Sequence, residues 1–123
     1  MVHVLSAEWG WLSRCGGLER GAPLDPADYP TAESLAGAWN KVETHLRGLL
    51  STLREQDLTR DAEFVLGGTE KHSMPVGELL QPAANHGVHH RGQVSLLLRL
   101  LGYSPEKFDL FLYHAEKHRL RTS

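Results

Sequence analysis

Apolar residues recur at helical spacing over most of this chain, and the stretches between them are rich in glycine and proline. Val2, Leu5, Trp9 and Leu12 fall at three- and four-residue steps, which predicts a helix from about Val2 to Arg14 that ends at Gly16-Gly17. Gly21 to Pro30 carries three prolines and two aspartates and reads as a loop. Thr31 or Ser34 is then a candidate cap for a second helix reaching to about Glu55. Its apolar stripe is Leu35, Ala38, Val42, His45, Leu46, Leu49, Leu50 and Leu53.

Ala62 to Met74 breaks the helical period. Phe64-Val65-Leu66, Gly67-Gly68 and a polar run suggest a short hairpin or irregular excursion. A third helix is expected from Pro75, in the first-turn position that proline favours, to Leu101, with Gly102 as its stop. Ser104-Pro105 resembles a cap followed by a first-turn proline, opening a last helix through Phe108, Leu112 and His114. Three or four helices with little strand predict an all-α bundle, and 123 residues suffice for a single domain over 1–123 with one packed core. No internal repeat or low-complexity segment interrupts it.

The third helix carries the chemistry. Asn85-His86-Gly87-Val88-His89-His90-Arg91-Gly92-Gln93 packs three of the chain's eight histidines into one short block. Residues four apart on a helix lie on the same side one turn apart, so His86 and His90 can address one metal ion. At about 100° per residue, Leu79, Leu97, Ala83, Leu101, Val76, Val94, Leu80 and Leu98 all fall within about 120° of His86. His90 lies at about 40°, inside that sector, while His89 at about 300° sits at its edge. Two polar rings aimed into an apolar seam are costly unless something satisfies them, and a shared metal does so. Geometry alone divides such a pair about equally between ligand and structural roles. A third ligand is required, with His3, His45, His72, His114 and His118 as candidates, and periodicity does not choose among them. His3 lies on the side of its helix away from Leu5 and Trp9, beside the small residues Ser6 and Ala7.

Other residues carry less. Gln93, one turn past His90, is a candidate to hydrogen-bond a metal-bound water or to orient a ligand ring, and a solvent-facing glutamine is an equal alternative. His89 is a candidate for contacting substrate or backing a ligand, with an ordinary surface position slightly favoured. Arg91 reads as an ion-pairing or packing residue, and Trp9, Trp11 and Trp39 as core or interface anchors. His114 and His118 repeat the four-residue spacing, but beside Lys117 and Arg119, which reads as a solvated face. Cys15 lacks a basic block around it and reads as inert.

Bulk properties exclude several classes. Lysine and arginine number 13 against 15 acidic residues, a formal charge of −2, which offers no basic surface for nucleic acid. One cysteine gives no internal disulfide framework and fits a reducing compartment. The sequence shows no signal peptide and no apolar run near the length of a membrane span, so the expected location is cytoplasmic.

The histidine block, followed by Val94-Ser95-Leu96-Leu97-Leu98-Arg99-Leu100-Leu101-Gly102 and then Ser104-Pro105 with Asp109, resembles the C-terminal signature of the DinB (DinB/YfiT-like) family. Val2-His3-Val4-Leu5-Ser6-Ala7-Glu8-Trp9-Gly10-Trp11-Leu12 is similar to that family's second helix, and the resemblance covers nearly the whole chain. It implies an up-down-down-up four-helix bundle with His3, His86 and His90 as ligands of one divalent ion, nickel or zinc first, iron or manganese next. Imidazoles alone do not select among these. It further implies a small-molecule thiol or electrophilic substrate, since characterised relatives transfer or isomerise with mycothiol, bacillithiol or glutathione, and it implies a homodimer. A metal-dependent hydrolase is an alternative, weakened by the lack of an acidic residue beside the block. A non-catalytic, metal-binding stress-response dimer is another, and a metal-free remnant a third. Two departures stand out. The family's first helix has no counterpart ahead of His3, so either the start is assigned late or the core closes by pairing. Pro82 stands where many relatives carry a further histidine.

Overall fold

The computed structural model describes residues 1–18, 21–107 and 109–119. Among them the order is helix α1 (Val2–Gly16), helix α2 (Ala32–Thr52), strands β1 (Asp61–Val65) and β2 (Lys71–Pro75), helix α3 (Val76–Leu100) and helix α4 (Leu110–Lys117). Short 3-10 turns occupy Pro26–Asp28 and Glu55–Thr59. The fold is therefore mostly helical with one small sheet, as the hydrophobic periodicity predicts. The chain divides into two compact units, Met1–Gly87 and Val88–Ser123.

In the first unit each helix end has a local cause. Gly17 adopts a left-handed conformation (φ 67°), and its amide reaches back to close α1. Thr31 and Ser34 do not compete for the start of α2 but share it. The Ser34 amide donates to Thr31 Oγ1 at 3.1 Å and the Thr31 amide to Ser34 Oγ at 3.3 Å, a reciprocal cap. The helix stops at Thr52, short of the expected Glu55, because Leu53 is extended and Asp57 draws residues 54–57 into a separate turn.

The expected hairpin is present, antiparallel with Asp61 opposite Pro75 and Val65 opposite Lys71. Pro75 ends β2 instead of opening α3, a place its missing N–H permits at the edge of a two-stranded sheet. The Val76 amide donates to the Arg60 carbonyl at 3.0 Å, so the ladder runs directly into the first turn of α3. Gly77 allows that junction, since a β-carbon there would meet the Leu58 carbonyl at 3.1 Å.

Two apolar clusters hold this unit. Cys15, Ala62, Val76 and Leu79 form one, flanked by Trp11, Leu49, Leu53, Phe64, Met74 and Leu80. Leu5, Leu12 and Val42 form the other, flanked by Trp9, Leu35, Ala38, Trp39 and Leu46 among others. All three tryptophans thus serve the core, and α1 packs on both α2 and β1. Arg14 is buried with its guanidinium 4.9 Å from the Trp11 ring centre and 5.3 Å from that of Phe64. Cys15 is fully buried, and burial pushes its thiol above the ordinary value, with Arg60 and Arg14 pulling the other way. That makes it unreactive, as its surroundings in the sequence suggest.

The second unit comprises the later turns of α3 and all of α4. Gly102 (φ 86°) ends α3 as expected. The last helix does not open at Ser104-Pro105. It starts at Leu110, where the Asp109 side chain accepts from the Phe111 amide at 2.8 Å and caps the first turn. Leu112 and His114 lie on it as expected, whereas Phe108 falls outside the described residues. The expectation of an apolar seam buried along all of α3 is corrected here: Leu97 and Leu101 are 58% and 73% exposed, and Ala115 is the unit's only buried residue among those described.

Candidate metal centre

His3 stands in the first turn of α1, and that turn is tied down. The Leu5 amide donates to the Met1 carbonyl at 3.2 Å, and the adjoining Val4 and Leu5 are both buried. His3 itself is exposed, on the side of α1 away from Leu5, as periodicity predicts. Ser6, expected to leave room beside it, is occupied elsewhere: its Oγ accepts from the Leu24 amide at 3.1 Å and pins the following loop to α1.

His86 lies on α3 with its ring centre 5.2 Å from that of His3, tilted by 59°. His90 follows one turn later on the same helix. A potential ligand atom from each of His3, His86 and His90 lies within 4.8 Å of the others. No other group of three histidine, cysteine or acidic side chains meets as closely among the described residues. Nitrogens bound tetrahedrally at about 2.1 Å stand roughly 3.4 Å apart, so small side-chain rotations bring three imidazoles to that spacing. The donor set fits a divalent ion of borderline softness, and three ligands leave positions open.

The remaining candidates go elsewhere. His45 turns its Nδ1 to the Lys41 carbonyl at 2.9 Å and sets its ring edge-on to Trp9. His72 stacks on Phe64 and lies 4.0 Å from the Glu70 carboxylate. His114 packs against Tyr113, and His118 terminates α4; both are exposed. His89 is exposed with its ring T-shaped to that of His90 at 5.0 Å. Gln93 is exposed too, yet its Oε1 lies 2.6 Å from His90 Nδ1. The i, i+4 pair was legible from spacing alone. That His3 joins it was legible only from the resemblance, because the contact depends on how α1 is placed.

Comparison with known proteins agrees with that resemblance. The model of the DinB family matches residues 1–120. Protein DinB of Bacillus subtilis (strain 168) is similar to this chain, 25% identical over 118 residues, which are 92% of this chain and 69% of that protein.

Proposed function

Since this chain belongs to the DinB family, we propose that it is a metal-dependent enzyme that transfers a low-molecular-weight thiol to an electrophilic substrate. The observation that carries this reading is the convergence of His3, His86 and His90 from two separate helices. By likeness to the family the ion proposed is nickel or zinc, with iron or manganese next, since imidazoles alone do not choose among them. A divalent ion held by His3, His86 and His90 would supply Lewis acidity, which favours thiolate over thiol near neutral pH. The chain's own part is to present three neutral imidazole nitrogens and to leave the remaining directions to small molecules. His89, exposed with its ring against that of His90, is kept as a candidate to touch what enters. We place the protein in the cytoplasm, in keeping with its single free cysteine. Hydrolysis ranks below thiol transfer, since no acidic residue adjoins the histidine block to serve as a base. Among the described residues no helix is long and apolar enough to cross a membrane.

Metal content per chain, measured by inductively coupled plasma mass spectrometry on untagged protein, tests the centre. About one divalent ion is expected, falling to a trace in His86→Ala and His90→Ala. Full retention by both variants defeats the assignment. With the metal in place, consumption of bacillithiol, mycothiol or glutathione against a panel of electrophiles tests the reaction. No turnover with any of them favours the non-catalytic reading.

A specific observation supports a homodimer in either case. Leu96, Leu97, Leu100, Leu101, Leu110, Phe111 and Tyr113 are all more than half exposed in a unit whose described residues bury only Ala115. A second copy of the chain is the proposed cover, and sedimentation tests it: a stable folded monomer at micromolar concentration counts against pairing.

A further inference from the structure

We propose that Gln93 is a positioning residue that fixes the tautomer of His90 and thereby decides which ring nitrogen is offered for ligation. The inference rests on reading His90 as a metal ligand. Its starting point is the 2.6 Å separation of His90 Nδ1 from Gln93 Oε1. A carbonyl oxygen only accepts, so the proton of this bond belongs to Nδ1. A neutral imidazole carries one N–H, and placing it on Nδ1 leaves the lone pair on Nε2. Only a nitrogen with a lone pair can ligate. Gln93 therefore presents Nε2 of His90, in the same way that carbonyl and carboxylate acceptors orient ligating histidines generally.

Helix geometry makes the pairing local. Positions 90 and 93 are neighbours on one face of α3, so the contact needs no partner from elsewhere in the fold. The His89 ring stands T-shaped to His90 at 5.0 Å and limits the ring's rotation from another side. An uncharged amide suits the task, because it takes the N–H without adding a negative charge next to the ion. The reverse orientation of the amide, with its NH2 toward the ring, would leave the proton on Nε2 and block ligation there.

Two readouts separate this inference from the metal reading on which it rests. The first needs no metal: long-range proton–nitrogen NMR of the metal-free protein at mildly alkaline pH. His90 is expected to be protonated on Nδ1, and Gln93→Leu is expected to release it to the tautomer mixture of a free imidazole. Position 93 is exposed, so the leucine variant is expected to keep its helical circular dichroism. Gln93→Glu, which retains the acceptor, restores the Nδ1–H form. The second is zinc affinity by chelator competition. Gln93→Leu is expected to bind about tenfold more weakly, and Gln93→Glu at least as tightly as the unaltered chain. Protonation of His90 on Nε2 in the unaltered chain, or a tautomer unmoved by Gln93→Leu, overturns the proposal. The expected tautomers with no zinc binding by the unaltered chain would uphold the Gln93 bond and defeat the metal centre instead.

Discussion

The two ends of α3 carry the same kind of residue and meet opposite fates. Val76 and Leu79 are fully buried, whereas Leu96, Leu97, Leu100 and Leu101 are 58–74% exposed. Composition does not separate them. The first end lies against Cys15, Ala62, Trp11, Leu49 and the strand residues Phe64 and Met74. The second end belongs to a unit whose described part offers a single short helix, α4, itself exposing Leu110, Phe111 and Tyr113. An apolar stripe thus states a demand for cover and says nothing of where the cover comes from. The histidine block falls between the two ends, where the helix passes from a packed setting to an open one.

The contrast can be broken most forcefully at Leu79. Leu79→Ala removes a fully buried side chain and is expected to cost about 3 kcal/mol in urea unfolding. A loss below about 1 kcal/mol would show that the packed end is not what holds the unit. Metal comes next. A divalent ion at a hundred times its Kd is expected to add about 2.7 kcal/mol and raise Tm, a gain that His86→Ala abolishes. Equal stabilisation of both proteins would mean that the ion binds outside the histidines.

At the open end, Leu97→Ala and Leu101→Ala are expected to change the stability of dilute protein by less than about 0.5 kcal/mol. If a second copy covers this face, the same substitutions lower the sedimentation coefficient of concentrated protein, and an unchanged coefficient removes these leucines from any contact. The smallest effect concerns Cys15. Burial raises its pKa above the ordinary 9.0, so the folded state resists forming the thiolate. The resulting stability is complete below 9.0 and fades as pH rises through the folded value. Urea midpoints above that pH should therefore decline more for the unaltered chain than for Cys15→Ala, and parallel declines would absolve the thiol.

Features set by a few consecutive residues were legible in the sequence. Gly17 and Gly102 end their helices, Thr31 and Ser34 cap α2, and Gly67-Gly68 lies between the paired strands. Sequence and structure differ where two local signals compete. Proline after serine suggests a helix start at residue 104, yet it is Asp109 that caps the helix, by accepting from the Phe111 amide. Pro75 suits both a first helical turn and a strand end, and only its pairing opposite Asp61 decided between them. What no window of sequence discloses is contact across long separations. The meeting of His3 with His86 is of that kind, and so is the exposure of Leu97 among the described residues.

Arg60 shows what such separation entails for the order of assembly. Its carbonyl receives the Val76 amide at the foot of the hairpin, and its guanidinium donates to the Cys15 carbonyl at 3.3 Å, 45 residues back. Closing the hairpin involves a short loop, while reaching Cys15 involves a long one with a larger entropic cost. The nearer bond can thus form while the chain is still open, and the farther one only after α1 arrives. Arg60 is a hinge in time: the residue at which early local structure first becomes committed to the rest of the molecule.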